Sequence, residues 1–181
     1  MFHARIVDQY IEAGHQARAV EGGGTRHGSG EIEVARIELL GGSAAPGSAS
    51  PEFRTGDPLT IRLHYRAAKP VDRPVFGVSI NTVEGQHVWS HHTKDAEFVP
   101  ARLVGEGSID IQIPAIPLQP GAFDINTSVV DDSLTHSFDQ WGRGCRFDVL
   151  MGTPRESGGL VVMNSTWTNL QPPTAMAVDG R

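Results

Sequence analysis

Residues 75–93, VFGVSINTVEGQHVWSHHT, decide how the chain is read. Phe76, Val78 and Ile80 alternate with Gly77, Ser79 and Asn81. A period of two sends the first set to one face of a strand and the second to the other. Val83-Glu84-Gly85-Gln86 makes a short turn, and His87 to Thr93 continues as a second strand. The rival reading is a helix, which would bring His87 and His91 one turn apart as a zinc-binding pair. The turn and the β-prone flanks argue against it. On a strand, His87 and His91 share a face about 13 Å apart at roughly 3.3 Å per residue. Zinc bonds nitrogen at about 2.0–2.1 Å, so the two cannot share one ion. His92 points away from His91. No metal or other cofactor is expected, and the histidines read as binding surface.

The same alternation recurs along the chain. Ile32 and Val34 alternate with Glu31 and Glu33, and Ile37 and Leu39 resume on the other parity, which implies a bulge near Ala35. Further strands follow at Leu59–Arg66, at GSIDIQIP (107–114), at GAFDINTSVVD (121–131) and at CRFDVL (145–150). LVVMNSTW (160–167) reads as a final strand. Short strands at this spacing, each polar on one side, predict an all-β, immunoglobulin-like antiparallel β-sandwich over residues 31–167. Ahead of it, residues 1–14 hold a short amphipathic helix, ARIVDQYIEA, and residues 15–30 a Gly-rich linker. The glycines of that linker fit neither a P-loop nor G-x-G-x-x-G. Residues 168–181 read as a disordered tail.

The 181 residues carry a net charge of −6 and no basic cluster, which argues against nucleic-acid binding. Cys145 is the single cysteine, so no internal disulfide forms. No apolar run nears the roughly 20 residues that span a bilayer, and the N-terminus has no apolar signal region. Catalytic signals are weak. No G-x-S-x-G occurs, Cys145 sits at an apolar strand position, and Asp131, Asp132 and Asp139 lie where aspartate caps turns.

FRTGDPLTIRLHY, PVFGVSINTVEGQHVWSHHT, IPLQPGAFDINTSVVDD and CRFDVL occur in that order. This set resembles the C-terminal domain of Wzt, the ATPase subunit of ABC exporters for bacterial O-antigen polysaccharides. The resemblance covers Glu31 to Trp167, and departs from the family pattern at SHHT, where Gly-x-Asn-Thr is more usual. It implies a non-catalytic module that binds the non-reducing end of a finished glycan and couples it to export. It also implies a cytoplasmic location at the inner membrane, partnered by the exporter's ATPase and membrane subunits. The ATPase domain would precede this one, its last helix being residues 1–14.

By analogy with immunoglobulin-like sandwiches, the strands at 75–83, 87–93, 121–130 and 145–150 form one sheet. With Phe76, Ile80, Ile125 and Phe147 inward, its outer face would show Ser79, Asn81, Trp89, His91, Asp124, Asn126, Ser128 and Arg146. Hydroxyls and amides suit sugar hydroxyls, and an aromatic plane suits sugar C–H faces. Trp141 is a second platform candidate or else a core plug. The expected carbohydrate-binding set is thus Ser79, Asn81, Trp89, His91, Asn126, Ser128 and Trp141. The alternatives are a structural or dimerisation module with no ligand of its own and, more remotely, a sugar-modifying hydrolase. The final strand either folds back on its own chain or crosses to a second protomer, giving a homodimer by strand exchange.

Overall fold

The computed structural model describes residues 18–19, 24–42 and 50–168. The helix expected at 1–14 and the tail from 169 lie outside these residues. Ten strands run in order: β1 (Arg18–Ala19), β2 (Thr25–His27), β3 (Ile32–Leu40), β4 (Glu52–Arg54), β5 (Leu59–Asp72), β6 (Val75–Thr82), β7 (His87–His92), β8 (Arg102–Ile113), β9 (Gly121–Val130) and β10 (Ser137–Leu150). They form two sheets. One has the order β1-β2-β10-β9-β6-β7, with β4 added in parallel along β10; the other is β3-β5-β8. The four strands expected to share a sheet do so, and the β3 bulge falls between Val34 and Arg36.

The alternating residues meet between the sheets. Ile32, Val34, Leu59, Ile61 and Leu63 from the smaller sheet pack against Phe76, Val78, Ile80, Ile125 and Phe147 from the larger, all buried. Phe147 is the centre of an aromatic cluster, edge-on to Phe53 at 5.9 Å and stacked with Phe123 at 5.7 Å. The outer face of the smaller sheet is covered by ion pairs across its own strands: Arg62 with Asp110, Arg66 with Glu106, and His64 with Glu38. Exposed pairs of this kind contribute about 0–1 kcal/mol each.

Two sequence expectations are corrected. The Gly-rich stretch assigned to a linker contributes two strands, and the sandwich begins by Gly24. Arg26 explains why. It enters the gap between the sheets and donates to both oxygens of Asp139, from Nε and Nη2, each at 2.7 Å. Nη2 also reaches the Val34 carbonyl at 2.8 Å, and the Val34 N–H donates to Asp139 Oδ2 at 2.9 Å. The second correction concerns LVVMNSTW, which forms no strand: Val161 makes one isolated bridge to Leu118, and the rest is irregular. Glu156 takes the hydrogen bonds a strand partner would need, accepting from the N–H groups of Met163 at 2.7 Å and Ser165 at 3.1 Å. Asn164 sits in the left-handed region at φ 52°, which breaks the extended path.

Burial disfavours the Arg26 charge, but the Asp139 carboxylate outweighs this and raises its pKa above the ordinary value. Removing one partner of a buried pair leaves the other uncompensated. Asp139→Ala should therefore lower stability by about 3–5 kcal/mol in urea unfolding. A loss below about 1 kcal/mol, the range of exposed pairs, would contradict the role given to this clamp.

Candidate functional site

The outer face of the larger sheet is built by β6, β7, β9 and β10. Register decides which side chains reach it. Ser79 pairs with Ser90 and Asn126, Gly77 with His92 and Ser128, and Ser128 with Gln140. Paired residues share a face, so these residues form one outward patch. Between Ile80 and Asn81 the β6–β7 register slips, and Val88 is the extra residue. The bulge turns the two halves of β7 to opposite faces. His87 pairs with Asn81 and faces out, whereas Trp89 pairs with Ile80 and His91 with Val78, both inward residues.

Trp89 is therefore not an outer-face platform. It packs against the core and, with Ile80, Ile113 and Leu118, lines a cleft of about 270 Å³ between the sheets. His91 lies 6.0 Å from the Trp89 ring and borders both an inter-sheet cleft and the outer one. Trp141 also turns inward, opposite Thr127, and carries the Arg26 guanidinium over its ring at 5.0 Å. It is the core plug of the two roles expected for it. The bulge separates His87 from His91, and His92 pairs with Asp95 at 3.2 Å. Among the described residues no cluster of three His, Cys, Asp or Glu side chains could hold a metal ion.

The remaining four expected residues come together. Asn126 donates from Nδ2 to Asn81 Oδ1 at 3.1 Å and to Ser79 Oγ at 3.3 Å. Its Oδ1 accepts the Arg143 N–H at 2.7 Å. Ser79 donates to Asn81 at 3.3 Å. Asn126 thus spends its amide on holding its neighbours. Ser128 stands beside it over Gly77, where an added Cβ would come within 2.4 Å of the Ser128 hydroxyl. Asp124, at the end of this patch, is buried and bound by Arg146 at 2.8 and 3.0 Å.

Beside this network opens a cleft of about 160 Å³. Its walls include Ser79, Ser90, Asn126, Ser128 and Gln140, together with Gly77, Val75, Val130, Leu134, His92 and Asp95. Alternation in β7 could have pointed to Ser90 once the bulge was known. Gln140 and Leu134 lie outside any strand read from the sequence. Leu134 belongs to a turn closed by Asp131, whose Oδ1 accepts the N–H groups of Thr135 at 2.8 Å and His136 at 2.7 Å. Burial pushes the Asp131 carboxyl up, but these bonds and the Ser133 hydroxyl hold it below the usual carboxylate range.

The other carboxylates weighed as catalytic candidates are engaged. Asp139 is in the core clamp, and Asp132 binds Arg73 at 2.9 Å. Burial, with the nearby Asp124 charge, pushes the Cys145 thiol up, away from the reactive thiolate.

A two-sheet sandwich with one face closed by ion pairs and the other carrying a polar cleft defines an all-β accessory domain. The family model of the Wzt C-terminal domain matches residues 24–163, and the chain belongs to that family. Membership gives it the context of O-antigen export by an ABC transporter, as a domain distinct from the ATPase. The fold agrees with a crystal structure of the C-terminal domain of Wzt: TM-score 0.68 at 12% identity, covering 89% of this chain and 94% of that one. A Niemann-Pick type C2 protein from Japanese carpenter ant shows a weaker likeness, with TM-score 0.47 and 9% identity over 68% of this chain and 96% of that one. No curated protein matches the chain in sequence. Among the described residues no helix is long and apolar enough to cross a membrane.

Asn126→Ala should cost about 0.5–1.5 kcal/mol, because it removes the bonds to the Arg143 N–H, Asn81 Oδ1 and Ser79 Oγ, while Asn81 keeps only the Ser79 hydroxyl. Denaturant unfolding measures this, and an unchanged midpoint would remove Asn126 from its organising role.

Proposed function

We propose that the domain is a non-catalytic carbohydrate-binding module, which holds the non-reducing end of an O-antigen polysaccharide in the outer cleft and presents it for export. One observation carries this reading: a small cleft whose hydroxyl and amide groups are held in place by the Asn126 network. Sugar hydroxyls are recognised by such fixed donors and acceptors, and groups already ordered lose little entropy on binding. On the smaller sheet Arg62, His64 and Arg66 are instead engaged by Asp110, Glu38 and Glu106. Within the exporter the domain works at the cytoplasmic face of the inner membrane, beside the ATPase and membrane subunits. Ser128→Val replaces a cleft hydroxyl by an apolar group, and Gly77→Val drives a side chain into its floor. Each should weaken the cognate polysaccharide about tenfold or more, equivalent to about 1.4 kcal/mol. Calorimetric titration tests this; wild-type affinity in both folded variants places the glycan elsewhere.

The second reading, self-association, has its own support in the C-terminal segment. Leu150, Met151, Val161, Met163 and Trp167 are all exposed there, Trp167 completely. Clustered exposed apolar side chains mark an interaction surface, and we propose that a second copy covers them in a homodimer. Exchange of 160–167 between protomers would transfer the bridge that Val161 makes to Leu118 within its own chain to the Leu118 of a second copy. Light scattering should show a dimer that truncation after Thr153 converts to a folded monomer. A wild-type monomer at tens of micromolar rejects this.

A further inference from the structure

The sandwich is closed along one side and open along the other. Arg26 and Asp139 join β2 and β10 to β3 at the closed side. At the opposite side the larger sheet ends in β7 and the smaller in β8, and these two edge strands do not pair. Ile109, Ile111 and Ile113 of β8, with Val88 and Trp89 of β7, pack against the core there but are only partly buried.

Two chambers occupy the gap. One, of about 310 Å³, is walled by Leu63, Phe76, Val78, Ile109 and Ile111. The other, of about 270 Å³, is walled by Leu59, Ile80, Trp89, Ile113 and Ile116. Gln112 borders both. The chambers lie in a row, because three strands pass from one to the other: β5 from Leu63 to Leu59, β6 from Phe76 to Ile80, and β8 from Ile109 to Ile113. Each step of four residues covers about 13 Å at roughly 3.3 Å per residue, between sheets that stack about 10 Å apart. The result is a narrow slot parallel to the strands, with Phe98 exposed at one end and Val161 at the other. Native cores leave few voids larger than a water, whereas small-molecule sites are mostly apolar and occupy about 300–1,000 Å³. Together the two chambers match the second description.

The chemistry of the walls selects the occupant. Among the described residues no lysine or arginine lines either chamber. Asp110 and Gln112 sit opposite Arg62 and Thr60, on the outward side of β5, and Arg62 binds the Asp110 carboxylate. His92 is paired with Asp95, and the Thr93 hydroxyl accepts the Phe76 N–H at 3.0 Å. His91 leans on the Trp89 ring. An ionised group inside would find no free counter-charge. A peptide laid there would bring N–H and C=O groups among isoleucine, leucine and phenylalanine, a burial cost that a hydrocarbon does not carry. Charged residues gather instead outside the Phe98 end, where Lys94, Asp95 and Glu97 are exposed.

We infer that the slot takes a single linear hydrocarbon chain, the tail of an amphiphile whose head stays outside at the Phe98 end. Glycan binding in the outer cleft is not required for it.

The test is a protein-observed NMR titration of the full chain, labelled at the isoleucine methyls and tryptophan indoles, with the 1-alkanols from hexanol to dodecanol. Affinity should rise about fourfold per added methylene, the increment for burying one CH₂, and stop rising once the slot is full. Shifts should centre on Ile109, Ile111, Ile113 and the Trp89 indole and leave Ser128 unmoved. Lysophosphatidylcholine giving the same shifts assigns the chain to a lipid; shifts with the alkanols alone assign it to a small free amphiphile. Ile111→Trp, which fills the first chamber from a partly buried edge position, should abolish saturable binding while thermal unfolding shows a folded domain. Phe98→Ser leaves the core untouched and should weaken the longest alkanols most. A flat dependence on chain length, shifts confined to the outer cleft, or wild-type affinity in both variants overturns the inference. So does sedimentation with phosphatidylcholine vesicles without isoleucine shifts, which indicates adsorption to a lipid surface. Isoleucine shifts that follow protein concentration and ignore the alkanols also overturn it, because a second copy then covers the slot.

Discussion

The contact between Arg26 and Asp139 holds the two sheets in one relation. A guanidinium placed between layers of valine, isoleucine and phenylalanine must be neutralised locally, and Asp139 does this with both oxygens. The pair also uses both backbone groups of Val34, at the point where β3 bulges. Charge and hydrogen bonding are satisfied together, the condition under which a buried ion pair is tolerated. The geometry ties β2 and β10 of the larger sheet to β3 of the smaller. Because β10 carries β9, and β9 carries β6, the outer face is referred back to this one clamp through continuous ladders.

How far the sequence reveals such a structure depends on the interaction. Alternation exposes strands wherever one face is buried, and the strands at Ile32, Leu59, Val75 and Gly121 were legible on that basis. β2 was not, since three residues between glycines carry no period, and its determinant is a charge pair 113 positions apart. LVVMNSTW misleads for the opposite reason: its apolar residues look like a strand, yet a carboxylate from Glu156 folds it into a loop.

The site shows the same division. Ser79, Asn81, Asn126 and Ser128 were legible because β6 and β9 run in unbroken register. Trp89 and His91 were misplaced because a single extra residue at Val88 reverses the parity of everything after it. Ser90 was missed by the same slip. Leu134 had no local signal, since its position depends on a left-handed turn closed by Asp131.

These differences bear on how the cleft works. If Trp89 had faced outward, stacking would have dominated recognition, and any sugar with an apolar face would have served. With the tryptophan turned to the inter-sheet side, the cleft is left with short hydroxyls, the amides of Asn126 and Gln140 and an aliphatic wall. Short side chains on a paired sheet have few rotamers to lose, and Asn126 fixes two of its neighbours before any ligand arrives. A buried donor or acceptor left unmet by the wrong ligand carries a penalty of about 1–3 kcal/mol, larger than the gain from a typical matched bond. Such a surface discriminates by what it leaves unpaired. Under the function proposed above, that property would separate a finished chain end from the many internal units of the same polymer.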